Sequence, residues 1–167
     1  MDNPLGALGY LVASFQQIEY DLGETLALLL RPCDGRFAGI LASRLSFSKL
    51  VETIDAMMRI RITDDKIVSE FGEIAVEALK LEQERNKNIH SHYELMEWGA
   101  TMRYERMKHL TKFKKGYTKL YETIEDDGPF QKIADANSAL ALRLLGFNET
   151  LFFRIASKEE IEMYLQP

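Results

Sequence analysis

At 167 residues, the chain fits most economically into one domain with room for a real hydrophobic core. Apolar residues at 46% and charged residues at 28% are ordinary for a globular protein. The single Cys33 excludes an internal disulfide and any thiolate cluster for a metal. Apolar runs such as Leu26 to Leu30 are too short to cross a bilayer, and Met1-Asp2-Asn3-Pro4 lacks the basic region of a signal peptide. The expectation is a reduced, cytoplasmic setting with no membrane partner. The net charge of −5 is unevenly spread, because Arg103 to Lys119 holds seven Lys or Arg against Glu105 alone. That local +6 leaves −11 on the remainder, so a polyanion has one segment to bind despite the acidic total.

Asn3-Pro4 is a helix opening, with Asn as N-cap and Pro in the first helical position. Leu11, Phe15, Ile18, Leu22, Thr25 and Leu29 follow at four-three spacing, and Pro32 closes the helix. A shorter helix is expected around Arg36 to Arg44. Ser46 is expected to cap the next, with Phe47, Leu50, Val51, Ile54 and Met58 on its inner side. Thr63 is expected to cap the longest helix, Asp64 to His90, about 40 Å at 1.5 Å per residue. After Ser91 the pattern of Tyr93, Leu95, Gly99, Met102, Tyr104 and Arg106 alternates about a glycine turn, which predicts a small hairpin. Lys112 to Thr123 fits an extended stretch or a short helix, and the extended form is favoured. Gly128-Pro129 opens a helix carrying Ile133, Leu140, Leu144 and Leu145 that is expected to stop at Gly146. Ser157-Lys158-Glu159-Glu160 is a capping box for a last short helix. The fold class is all-α: an antiparallel helical bundle with a small hairpin or extended insertion after the long helix. No repeat or linker divides the chain, so residues 1–167 form a single domain.

Function enters near the end of the long helix. Ile67, Phe71, Ile74, Ala78 and Leu81 mark one face at four-three spacing, and the next two positions are Arg85 and Asn88. A guanidinium on a core-facing seam costs free energy unless it is paired or opens onto a cleft. It suits a phosphate clamp, being permanently charged and forked; the structural alternative is a salt bridge to Glu82 one turn back or to an acid of another helix. His90 carries an imidazole, a group able to exchange a proton with a ribose hydroxyl or a leaving oxygen. Asn86, four residues earlier, can orient its ring; the structural alternative for His90 is a C-cap satisfying terminal carbonyls. His92, seven residues after Arg85, competes for the same role. His109 sits among basic residues as a solvated side chain. Arg103, Arg106, Lys108, Lys112, Lys114 and Lys115, interleaved with Tyr104, Phe113 and Tyr117, are candidate RNA contacts by charge and stacking, against a plain solvated hairpin. The histidine spacing argues against a metal, and the lack of a Gly-rich phosphate loop, Gly-x-Ser-x-Gly or Cys-x-x-Cys argues against the commonest cofactor and enzyme classes. No cofactor is expected.

Arg85-Asn86-Lys87-Asn88-Ile89-His90 resembles the Arg-x(4–6)-His signature of the HEPN superfamily, the higher eukaryotes and prokaryotes nucleotide-binding domains. The resemblance covers the order of helices across most of the chain, but its specific part is six to eight residues. It implies an all-helical domain that dimerises to bring two Arg/His sets into one cleft, as in defence ribonucleases and toxins. Carried over, Arg85 stabilises charge on the phosphate, Asn86 fills the polar position after the arginine, and His90 acts as acid or base. The implied reaction is metal-independent RNA cleavage through attack by the 2′-OH; the implied partners are a second copy, RNA or nucleotide, and an antitoxin. Some toxin members carry a modified tyrosine two residues after the histidine, a position held here by His92 with Tyr93 one residue late. A non-catalytic helical dimer that binds nucleotide, RNA or a partner protein is the alternative.

Overall fold

The four-three stripe of the first segment winds into α1 (Pro4–Leu30), and every expected core position from Leu11 to Leu29 is buried. The computed structural model describes residues 4–32, 35–98, 101–112, 116–124 and 127–164. Asn3 as a cap, Cys33, the Gly99 turn, Phe113, Lys114 and Lys115 therefore lie outside the described residues. α2 (Gly35–Arg44) follows, burying only Ala38. α3 (Phe47–Arg61) buries the five apolar residues expected of it. Ser46 occupies its N-cap position without a side-chain hydrogen bond to a helix N–H; its hydroxyl meets that of Ser48 at 3.5 Å.

α4 (Asp65–Ile89) is capped by Asp64 and not by Thr63: the carboxylate accepts the Lys66 N–H at 3.1 Å. An aspartate one residue further along meets the orphan amides directly and suits the positive end of the helix dipole. α5 (Gly128–Ile155) does not stop at Gly146. Its buried stripe continues through Phe147 and Leu151, and that burial outweighs the roughly 1 kcal/mol helix penalty of one glycine. Leu145 is exposed. α6 (Lys158–Tyr164) carries the expected capping box: the Ser157 N–H donates to Glu160 Oε2 at 2.8 Å, and the Glu160 N–H to Ser157 Oγ at 3.3 Å.

The helices form a bundle around one main core, joined by a smaller cluster of Ala7, Leu11, Phe130 and Ala134. Consecutive helices alternate in direction. Arg143 of α5 reaches Glu73 and Glu77 of α4 while Arg154 reaches Asp64, which sets those two antiparallel. Between α1 and α5 the contacts advance together. Asn137 Nδ2 donates to Leu11 O and Ser14 Oγ, whereas Thr25 Oγ1 donates to Asn148 Oδ1 at 2.7 Å. The first and last long helices are therefore parallel neighbours, and they share the most extensive helix–helix contact. The buried hydroxyls of Ser14 and Thr25 have partners on α5, while the Asp21 carboxylate is bonded within α1 by Gln17, as buried hydrogen-bonding groups require. At its C-terminus, α1 presents the Leu29 and Arg31 carbonyls to the Arg61 guanidinium of α3.

Between α4 and α5 the chain forms a three-stranded antiparallel meander, β1 (His92–Trp98), β2 (Thr101–Lys112) and β3 (Gly116–Ile124), in the order β1-β2-β3. His92 stands opposite Met107, and Lys112 opposite Gly116. Of the extended stretch foreseen from Lys112 to Thr123, Lys112 ends β2 and Gly116 to Thr123 lie in β3, and the insertion is one strand larger than a hairpin. Tyr93 fastens it to the bundle: its hydroxyl donates to Asn88 O at 2.9 Å, and its ring lies edge-on to Phe130 at 6.0 Å. Among the described residues no helix is long and apolar enough to cross a membrane.

Candidate functional site

Ile67 to Leu81 of the α4 seam are buried as the spacing foretells, and Asn88 is buried with them. Arg85 lies half-buried between, where α4 faces α1. Its guanidinium carbon sits 5.0 Å from the centroid of the Phe15 ring, which in turn tilts against Phe47 at 4.8 Å. Arg85 Nη1 donates to Asn86 Oδ1 at 3.0 Å, while Nε is buried without a hydrogen-bond partner. Among the described residues no ion pair closes on Arg85: the salt bridge to Glu82 weighed from the sequence does not form. An aromatic face and a neutral amide hold the cation, and neither cancels its charge.

Glu19, one turn beyond Phe15 on α1, feels this cation. Burial raises its carboxyl above the usual value, Arg85 pulls it back down, and Glu82 pushes it up again. Glu19 also lines a cleft of ≈ 340 Å³ with Tyr20, Ala42 and Phe47. Neither Phe15 nor Glu19 was marked by the sequence as belonging with Arg85. Phe15 reads there only as core, and Glu19 gives one signal, its spacing of four from Phe15.

His90 is the C-cap of α4, with φ −95° and ψ 14°, and its side chain is exposed. The terminal carbonyls are satisfied by other groups. The His90 and Ser91 N–H groups donate to Asn86 O and Asn88 O, Ser91 Oγ donates to Lys87 O at 2.6 Å, and Tyr93 bonds Asn88 O. Asn88 Nδ2 takes the Glu84 carbonyl at 2.8 Å. The imidazole is therefore not needed as a cap. Asn86 turns its oxygen to Arg85 and not to the His90 ring. Five residues of helix separate Arg85 from His90, so the two project about 140° apart with a rise of about 7.5 Å. Within one chain, Arg85 faces the bundle and His90 faces outward.

His92 opens β1, and the backbones of Arg103, Arg106, Lys108 and Lys112 lie along β2. The basic strand thus follows the motif directly in the chain. Among the described residues no group of three or more His, Cys, Asp or Glu stands together as a metal site. Comparison with protein-family models, with curated proteins and with solved structures returns no match to this chain.

Proposed function

We propose that the chain is a HEPN-type, metal-independent endoribonuclease or RNA-processing toxin that acts as a homodimer. The observation that carries this reading is the Arg85 guanidinium, fixed on Phe15 and Asn86 with no carboxylate at ion-pair distance among the described residues, although it feels the Glu19 carboxyl. A fixed cation with no directly paired carboxylate is suited to a phosphate, whose charge grows as the 2′-OH attacks phosphorus. His90 is exposed and released from capping, so its imidazole can exchange the proton that leaves the 2′-OH or joins the departing 5′-oxygen. Arg85 and His90 point apart within one chain, so a second copy is what brings an Arg and a His to one phosphate. The basic meander supplies the charge that holds the RNA strand, and an antitoxin is the partner that would keep such an enzyme silent.

A second reading draws support from the half-burial of Arg85 and its buried Nε. In that reading the arginine is a packing element of a non-catalytic helical dimer that binds nucleotide, RNA or a partner protein. Cleavage of mixed RNA in excess EDTA separates the two. Loss of a charge-stabilising donor costs about 10²–10³ in rate, so Arg85→Ala should nearly abolish cleavage. Arg85→Lys, which keeps the charge and loses the fork, should retain only part of it. His90→Ala should lose roughly 10²–10⁴ and His92→Ala less. Equal cleavage by wild type and Arg85→Ala would identify a contaminant. No cleavage by either, across varied RNAs, would support the binding dimer.

A further inference from the structure

Three clefts join end to end along α1 and α5, bordered in the second by Tyr164 of α6 and in the third by Gly35 of α2, and Arg85 lines none of them. The first, of ≈ 370 Å³, runs from Ser14 to Asp21 against Leu142 and Leu145. The second, ≈ 330 Å³, shares Asp21 and Leu145 and adds Tyr20, Glu149 and Tyr164. The third, also ≈ 330 Å³, shares Glu24, Leu28 and Phe152 and ends at Arg31. From Ser14 to Arg31 the groove follows α1 for about 25 Å at 1.5 Å per residue, the length of a helix of some four to five turns. Large apolar side chains stand open along it: Leu142 is 70% exposed, Leu145 53% and Tyr20 63%. Leu142, Leu145 and Glu149 recur at three-four spacing, which aligns them on one face of α5.

Carboxylates outnumber cations along this groove. Asp21, Glu24 and Glu149 line it, and the cation at its far end, Arg31, is already answered by Glu160 at 2.9 Å and stacked on Phe152. That asymmetry selects the occupant. A second copy related by a two-fold axis would set groove against groove and acid against acid, two surfaces that neither interlock nor attract. RNA and anionic lipid are repelled by the same carboxylates. We infer that the α1/α5 groove is a docking site for a cationic amphipathic helix of a partner protein, with its apolar stripe on Leu142, Leu145 and Tyr20 and its Lys or Arg side chains on Glu24 and Glu149. This is the helix-in-groove mode, read through anchors at i, i+3, i+4 and i+7. The inference stands on surfaces that the RNA-cleavage reading does not use.

The test uses the full chain and two fluorescein-labelled peptides of about 18 residues, long enough to fill the groove. One repeats Leu and Lys with Leu at i, i+3, i+4 and i+7; the other replaces every Lys by Glu. The Leu/Lys peptide should bind about tenfold or more tighter than the Leu/Glu peptide. Leu142→Asp with Leu145→Asp should weaken it by about tenfold or more, and Leu142→Gln alone by a smaller factor if the double variant does not fold. Glu24→Lys with Glu149→Lys should reverse the peptide preference. Ile60→Asp with Val76→Asp, at equally exposed apolar sites on α3 and α4, should leave binding unchanged. Equal affinity for both peptides would overturn the inference. So would a reversal produced just as well by Asp65→Lys with Glu70→Lys on α4, or self-association of the chain that Leu142→Asp with Leu145→Asp abolishes.

Discussion

Asp21 is a carboxyl set into the wall between α1 and α5, and its protonation is coupled to folding. Burial raises it above the usual aspartate value; the Gln17 Nε2–H bond at 3.0 Å opposes the rise and Glu24 adds to it. The native state therefore binds this proton more tightly than the unfolded chain does. Its stabilising effect is complete below the unfolded value and is lost as pH rises through the folded one. Asp21→Asn keeps an oxygen for Gln17 and removes the charge. It should raise the melting temperature at neutral pH, with the gain shrinking toward about pH 4, near the unfolded aspartate value. A gain that does not depend on pH would assign the effect to something other than ionisation. Arg85 shows the limit of sequence reasoning at this scale. Its place on the seam was legible from a period of 3.6, because a charged residue there breaks an apolar stripe. Its partner was not: Phe15 lies 70 positions away, and nothing in either segment pairs a ring with a guanidinium.

At the scale of elements, local chemistry is what the sequence displays. The capping box of α6 was legible because it is written within four residues, and the buried stripes of α1, α3 and α4 because each follows its own helical period. Thr63 was mistaken for the α4 cap since Thr and Asp both serve and stand side by side. Gly146 was mistaken for a stop since its neighbours' burial against α1 and α4 is a tertiary fact. The antiparallel pairing of β1 with β2 was legible from alternation about a glycine, but that of β3 with β2 was not, since it depends on residues brought together across a second turn. α6 itself yields a pH effect of opposite sign to that of Asp21. The Ser157 N–H bond, with a smaller contribution from Arg31, holds Glu160 below the usual carboxylate value. This stabilisation is present above the unfolded value and disappears as pH falls through the folded one. Protection of the α6 amides, measured by hydrogen exchange relative to the intrinsic rate at each pH, should therefore fall below about pH 4, ahead of α5, and should be low at every pH in Glu160→Gln. Ser157→Ala, which removes the reciprocal bond, should loosen α6 by about 0.5–2 kcal/mol at neutral pH. Exchange from α6 and α5 in step would contradict both expectations.

At the scale of the whole molecule, the ribonuclease reading requires two copies. Light scattering at micromolar concentration should give twice the 19.2 kDa of one chain. The Leu142→Asp, Leu145→Asp variant should remain dimeric, because its groove is not the two-fold interface. A monomeric wild type would remove the means of uniting Arg85 with His90. The parallel contact of α1 with α5 has a further consequence, for synthesis. α1 leaves the ribosome first, yet the helix that covers Leu11, Ser14 and Thr25 begins only at Gly128. At about 5–20 residues per second, the intervening chain delays that meeting by roughly 5–20 s. Until then an apolar helix waits beside three others that enclose it only in part, and a nascent chain stalled in the meander would expose the side that α5 covers, at Leu11, Ser14 and Thr25. The most extensive helix–helix contact of the finished bundle is thus among the last that translation permits, followed by the docking of α6, and the face of α1 that α5 covers stays open throughout the interval between β1 and α5.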